Sequence, residues 1–427
     1  MRKFLFSCLV FFNSLAIHAK DLTPLPQPLS LSQALALVDQ SLPEQIKASQ
    51  HIQQQAAQLQ LTQSQFGIQV AAQAVLRWLE PAESLRHLGH QDHTIKLIAS
   101  KPLYDFGRQQ NREAAAQQQL VAAELKQKYQ LQQHRLAVME AFFNVLVADL
   151  TYARDNEDMA TAFVSYDRIK DRAELGERSD IDLLKAFNEY QAVRQQRFAS
   201  EAQQRSTRAR LASLLNRPNN LPAILLVPET SLAQKKPPPF EQLLQTVFAN
   251  NVELSQLQAT VDAAKHHWVA AQRHYWPRLE LQTETGVYSR GIGSNDVWRA
   301  GVSIEAPLYS AGQFQAKAQQ AQAHFRQAEQ DIVLYKRQLQ QRLLELWLNL
   351  DVLQKQWDEA QALFDFRELY LDRARALYDM EVKTDLGDAM VQLTQAQLQQ
   401  AKVQYAIILH WAELEVMGAL PAGEVLK

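Results

Sequence analysis

The residues best suited by type to do chemistry are three histidines spaced three apart, His87, His90 and His93, with Asp92 among them. Neutral imidazoles can hold a transition metal, so His87-Leu88-Gly89-His90-Gln91-Asp92-His93 is a candidate metal loop. Ligand spacing alone fixes no coordination geometry, and a solvated loop of the same composition is the simpler reading; no metal is expected. His266, His267 and His274 lie on a helical stretch and read as surface residues. No paired catalytic carboxylates, nucleophile motif or glycine-rich phosphate loop can be found, so the chain is expected not to be an enzyme and to need no cofactor.

With 44 Lys and Arg against 46 Asp and Glu, the formal net charge is −2, which gives no basic footprint for nucleic acid. Arg2 and Lys3 precede an apolar stretch from Phe4 to Ile17, and Ile17-His18-Ala19 before Lys20-Asp21 has the form of a secretory signal cleaved after Ala19. Leu5-Phe6-Ser7-Cys8 also resembles a lipobox, but too few apolar residues precede Cys8 and the run continues beyond it. Cys8 is the only cysteine, so signal removal leaves neither a disulfide nor a thiolate ligand. Past the signal, the best candidate for a membrane helix, Ala141 to Leu150, is shorter than the roughly 20 residues needed and carries Asn144 and Asp149. An exported chain can still cross a membrane as strands.

Glycine and proline are missing between Gly107 and Gly176, from Glu177 to Arg217, from Gln313 to Leu386 and from Asp388 to Met417. These stretches are rich in Ala, Gln, Leu, Glu, Lys and Arg, which favour helix. Two of them span about 100 Å at roughly 1.5 Å per residue. Taken alone they read as a solvated coiled coil.

Elsewhere the apolar period changes to two, which marks strands. Ile68, Val70, Ala72, Ala74, Leu76 and Trp78 alternate with Gln69, Gln73 and Arg77, and Ile95, Leu97 and Ala99 with Thr94, Lys96 and Ser100. Leu279, Leu281, Thr283, Thr285 and Val287 alternate with Glu280, Gln282, Glu284 and Gly286, and Trp298, Ala300, Val302, Ile304 and Ala306 with Arg299, Gly301, Ser303 and Glu305.

An internal repeat joins these pieces. Pro102, Tyr104 and Gly107 recur as Pro307, Tyr309 and Gly312, since 309 − 104 = 205, and the same offset relates Glu140 to Glu345 and Asp180 to Asp385. Upstream, Gln33 and Glu44 match Gln242 and Glu253 at an offset of 209, so the first copy holds four extra residues, most simply near His87 to His93. The expected organisation is a signal at 1–19, a first repeat at 20–217, a Pro-rich linker at 218–239, a second repeat at 240–420 and a tail at 421–427. Each repeat reads as helix, β-hairpin, very long helix, turn and helix. Four amphipathic strands cannot close a barrel, which needs about 8 or more, and an open edge in lipid leaves backbone groups unpaired. Closure must come from other copies.

The doubled Pro-Leu-Tyr…Gly segments, the repeat, and the turns Gly176-Glu177-Arg178-Ser179 and Glu381-Val382-Lys383-Thr384 resemble the TolC family of outer-membrane efflux proteins over essentially the whole mature chain. That resemblance implies a mixed fold, with a long antiparallel helical tunnel and four strands per chain in a trimeric twelve-stranded transmembrane β-barrel. It further implies a homotrimer in outer-membrane lipid that meets a periplasmic adaptor and an inner-membrane pump or ABC exporter. In that family the periplasmic end is held shut by side-chain contacts, which by position fall on Asp182, Tyr378 and Lys383. Lys383 replaces an arginine and loses its bidentate fork. The family's aspartate rings fall on Gly387 and Met390, with Asp385 and Asp388 beside them, where carboxylates also favour a helix N-terminus. A periplasmic adaptor or coiled-coil scaffold would share the export signal and long helices, but leaves the four strands unexplained.

Overall fold

The computed structural model describes residues 25–38, 42–228, 232–291, 295–380 and 385–421. The signal segment, Cys8 and the turn carrying Lys383 lie outside the described residues. The first copy runs through α1 (Leu31–Val38), α2 (Pro43–Ser64), β1 (Gln69–Val75), β2 (Thr94–Tyr104), α3 (Arg108–Glu174) and α4 (Asp180–Leu214). The second runs through α5 (Phe240–Asn250), α6 (Val252–Gln272), β3 (Arg278–Tyr288), β4 (Trp298–Glu305), α7 (Gln313–Asp379) and α8 (Leu386–Val416).

Both long helices start by the same device. Phe106 and Gly107 have φ of 58° and 79°, and Ala311 and Gly312 have φ of 49° and 80°. Two successive left-handed residues turn each strand into its helix, and glycine takes the second at little steric cost. These pairs are 205 residues apart, as the sequence motif is, so the repeat extends to backbone conformation. With no interior glycine or proline, α3 and α7 each continue for 67 residues. α3 stops where Gly176 turns left-handed and Glu177 N–H donates to the Arg172 carbonyl at 2.8 Å, which satisfies an orphan carbonyl of the last turn.

The main core lies at the middle of the long helices and not at an end. Val138, Phe142, Phe143 and Leu146 of α3 pack with Leu343, Leu346 and Leu350 of α7, Ile407 and Trp411 of α8, and Leu35 and Val38 of α1. One 18-residue window of α3 is long and apolar enough to cross a membrane, in contrast to the expectation from sequence. The most buried run of that helix is nevertheless the core segment Val138 to Ala148. From this waist one arm, formed by α2, α3, α6 and α7, rises to the sheet. A second arm, formed by α3, α4, α7 and α8, descends to the turns, where Leu371, Ala374 and Ala389 make a small separate cluster.

The strands form one antiparallel sheet in the order β1-β2-β3-β4. Each matches an alternating segment of the sequence. The first hairpin carries the longer loop, with a 3-10 turn at Glu83–Leu88.

Candidate functional site

Directly opposed residues of an antiparallel pair share a face. Register therefore sorts the side chains without ambiguity. Val70, Ala72 and Ala74 oppose Ala99, Leu97 and Ile95; Ile95 opposes Val287; and Leu281, Thr283 and Thr285 oppose Val302, Ala300 and Trp298. This single face collects the apolar half of all four strands and leaves it open, with Val70 62%, Ile95 61% and Val302 58% exposed. An apolar surface this continuous marks contact with lipid or protein. Its two threonines bond inward to backbone, Thr283 Oγ1 donating to the Arg299 carbonyl at 3.2 Å and Thr285 Oγ1 to the Val297 carbonyl at 2.8 Å. Trp78 and Trp298 lie at one end of the band, and Tyr104, Trp276 and Tyr309 at the other. Eleven residues at about 3.3 Å each, tilted about 40°, give a band roughly 25–28 Å tall.

The other face is polar. Lys96 opposes Gly286, Glu284 opposes Arg299, and Glu280 opposes Ser303. Glu284, only 5% exposed, accepts from Lys96 Nζ at 3.4 Å and Arg299 Nε at 2.7 Å, while Arg278 Nε donates to Glu305 at 2.8 Å. β1 and β4 each have one neighbour, so both outer edges carry free backbone groups.

The motif residues at the strand-to-helix junctions differ between copies. β2 continues through Pro102 and Tyr104, with a register shift between them that accommodates the missing proline N–H. Tyr104 meets Phe106 edge-on at 4.8 Å, and Phe106 meets Trp276 at 5.1 Å. β4 ends at Glu305, so Pro307 and Tyr309 lie beyond the strand, with Tyr309 exposed.

At the hairpin tips the histidines are not gathered. His90 stacks on Trp78 at 5.6 Å with its Nδ1 3.3 Å from Glu80, His87 is exposed, and the His93 N–H donates to Ser289 Oγ at 2.7 Å. Among the described residues no cluster of His, Cys, Asp or Glu can hold a metal ion. Sequence reasoning missed Arg290, which is buried and donates to the carbonyls of Gln91, at 3.1 Å, and Gly89, tying the two hairpins together. A lone arginine in a glycine-rich turn gives no signal of that role.

At the opposite end, Asp182 and Ser179 form a capping box: the Asp182 N–H donates to Ser179 Oγ at 3.2 Å, and the Ser179 N–H to Asp182 Oδ2 at 3.4 Å. Asp385 caps α8 by accepting from the Asp388 N–H at 3.1 Å. Tyr378 is exposed on the last turn of α7, and within one chain no hydrogen bond joins it to Asp182 among the described residues. A seam between α3 and α8 lies just above. Arg154 pairs with buried Asp155 and donates to Gln395 at 2.8 Å, and Thr394 Oγ1 donates to Glu157 at 2.5 Å. Burial raises the Asp158 pKa above the ordinary carboxylate value, and Asp155 and Asp388 add to the shift against Arg154.

His266 is half-buried, in contrast to the reading from sequence, whereas His267 is an exposed residue as expected, and both rings reach α3. His266 Nδ1 lies 3.0 Å from Asn111 Oδ1, and His267 Nε2 lies 3.1 Å from Gln119 Nε2, across the seam between α3 and α6.

The arrangement is thus an open-edged sheet with one apolar face and one polar face, carried on a helical shaft about 100 Å long. Residues 243–418 match the family described as Outer membrane efflux protein. Outer membrane protein TolC of Escherichia coli (strain K12) is 24% identical over 316 residues, 68% of this chain and 62% of that one. Alkaline protease secretion protein AprF of Pseudomonas aeruginosa is 21% identical over 340 residues, 76% of this chain and 69% of that one. The chain thus aligns with less than two thirds of the length of TolC. Among solved structures, the Campylobacter jejuni CmeC outer membrane channel superposes with a TM-score of 0.73 at 16% identity, covering 91% of this chain and 85% of that one. The chain is similar to the TolC family of outer-membrane efflux proteins, by sequence over residues 243–418 and by fold over most of its length.

Proposed function

We propose that this protein is the outer-membrane exit duct of a tripartite efflux or type I secretion system, a passive pore and not an enzyme. The observation that carries the reading is the four-stranded sheet with free edges, apolar outside and polar inside. Three copies supply twelve strands and close every edge around a lumen wide enough for water, whereas two copies supply only eight. The long shaft then crosses the periplasm to meet a periplasmic adaptor and an inner-membrane pump or ABC exporter. Similarity to AprF, an alkaline protease secretion protein, and to the outer membrane efflux family supports transport of a cargo. Asp182, Tyr378 and Lys383 would close the periplasmic end through contacts between chains, with Asp385 and Asp388 beside the narrowest ring. No nucleotide or catalytic metal is required.

Fractionation and planar-bilayer recording test this together. The protein is expected in the outer membrane as a heat-sensitive oligomer, and purified oligomer should conduct ions unaided in a low or flickering state. A protein that washes from membranes, or conducts only with added nucleotide, would overturn the reading.

A further inference from the structure

Row by row, the register divides the polar face of the sheet into levels. Next to the hairpin tips Lys96 stands opposite Gly286 and, one row nearer the shaft, Glu284 opposite Arg299. The following row, Gln69, Ser100, Gln282 and Gly301, carries no charge. Closest to the shaft stand Glu280 and the paired Arg278 and Glu305.

The charges of the upper level are gathered by contact. Glu284 Oε1 lies 2.7 Å from Arg299 Nε and 3.4 Å from Lys96 Nζ, so one carboxylate serves two cations. Lys96 is held in place: its stem crosses Gly286, where a Cβ would stand 3.1 Å from Lys96 Cγ, and its ammonium sits 5.3 Å from the centre of the Tyr288 ring. Exposure within the triad is unequal. The Glu284 side chain is 5% exposed and that of Arg299 58%, so the carboxylate is covered by its partners while the guanidinium faces the open side of the sheet. Two cations against one carboxylate leave one net positive charge in each chain. At the lower level, Glu280 and Glu305 against Arg278 leave one net negative charge. From Glu284 to Glu280 the strand runs about 13 Å at roughly 3.3 Å per residue. That exceeds the Debye length of about 8 Å at physiological ionic strength, so the two levels do not cancel one another.

We propose that the Lys96, Glu284 and Arg299 triads make the outer mouth of the barrel an electrostatic filter that admits anions in preference to cations, with Arg299 as the residue that sets the preference. The filter rests on the channel reading, which turns the polar face toward the lumen and puts the hairpin tips at the outer mouth. In a trimer the triads form a ring of three net positive charges. A ring of one sign in a low-dielectric wall concentrates ions of the other sign and repels its own. The cargo class favoured at this mouth is solutes of net negative charge.

Cys8, in the segment read as the signal, is the only native cysteine, so a thiol placed in the lumen reports alone. The test puts that thiol at Gly301, on the uncharged row directly below the ring, where a Cβ meets nothing within 4 Å. On purified full-length oligomer in lipid nanodiscs, Gly301→Cys is modified by a sulfonate-bearing and by a trimethylammonium-bearing methanethiosulfonate, each rate being divided by that with free cysteine. The ratio of the two cancels any effect of the ring on the thiolate itself, since both reagents react with the same thiolate. At about 0.01 M salt the anionic reagent is expected to be favoured, and the preference should fall toward unity at about 1 M, where the Debye length is about 3 Å. Arg299→Gln should lower the ratio at least about threefold, Arg299→Lys should keep it, and Glu284→Gln should raise it. Arg205→Gln, exposed on α4 of the shaft, should leave it unchanged. A ratio at or below one in low salt, or one that Arg299→Gln does not alter, overturns the filter and leaves the channel standing. If Arg299→Gln fails to assemble, Lys96→Gln, which removes the other cation of the triad, decides by the same threefold criterion. A thiol that neither reagent reaches would place Gly301 off the lumen and refute the filter, while conductance of the same oligomer in a planar bilayer decides the channel reading separately.

Discussion

Asp182 caps α4 and is also the carboxylate proposed to close the periplasmic end. Its capping box with Ser179 is a complete account of the side chain within one chain, and loss of such a cap costs about 0.5–2 kcal/mol. Asp182→Asn keeps an acceptor for the cap and removes the charge, so it separates the two roles better than alanine does. With Tyr378→Phe added, we expect larger single-channel conductance or longer open times at nearly unchanged melting temperature. A surface contact is worth about 0–1 kcal/mol, but threefold repetition brings the total to about 2 kcal/mol, which shifts an open-to-closed ratio roughly thirtyfold. Lowered melting with unaltered conductance would assign Asp182 to capping alone. The same ambiguity explains what could be read beforehand. Gly176, Ser179 and the acids after it signal a helix end by residue type, but a cap and a gate use the same types, and only a neighbouring chain separates them. The contacts of His266 and His267 were not legible for a related reason: their partners, Asn111 and Gln119, are remote in sequence and leave no periodic trace.

Strands and long helices were legible because each satisfies a rule along its own length. Period-two alternation fixed the face of every strand residue before pairing was known, and the register then placed all four apolar rows on one side. We expect lysine at Val70, Leu281 or Val302 to impair membrane assembly, since a cation on the lipid face costs about 2–4 kcal/mol at midplane. Lysine at Gln73, Gln282 or Ser303 should be tolerated, and equal loss of oligomer from both sets would refute the facing. The seam between α3 and α8 was not legible, because the surfaces that meet there are polar or small. A Cβ on Gly387 would stand 2.8 Å from Thr161 Oγ1, so the two helices approach closely where no apolar stripe marks a contact. Asp158 in this seam has a raised pKa, so the folded chain holds its proton more tightly than the unfolded chain does. Its ionised form therefore costs stability, a cost that grows as pH rises past the unfolded value and disappears as pH falls below it. Asp158→Asn should melt higher than wild type near pH 7, with the gap shrinking toward pH 4. A gap that is constant with pH would mean the charge is already compensated.

The whole chain exposes 27633 Å², whereas a compact monomer of 48.7 kDa exposes about 17,000 Å². The excess comes partly from the elongated shape and partly from surfaces that lack a neighbour: the apolar sheet face, both sheet edges, and the row Leu344, Leu348 and Val352 on α7, opposite the buried Leu343, Leu346 and Leu350. Stability is accordingly uneven along the shaft. The waist holds its own core, while each arm is only one layer of helices. If the arms depend on other copies for closure, dissociation should unfold them before the waist. Hydrogen exchange on oligomer diluted below its association midpoint should show protection lost together in β1 to β4 and in the adjoining ends of α2, α3, α6 and α7. Protection around Phe142, Leu346 and Ile407 should persist, because those residues are packed within one chain. Melting of the arms should also depend on protein concentration, as expected wherever a folded element is stabilised by association. Arms that stay protected in the dissociated chain, or a waist that exchanges with them in a single step, would show that the sheet does not need other copies to hold its structure.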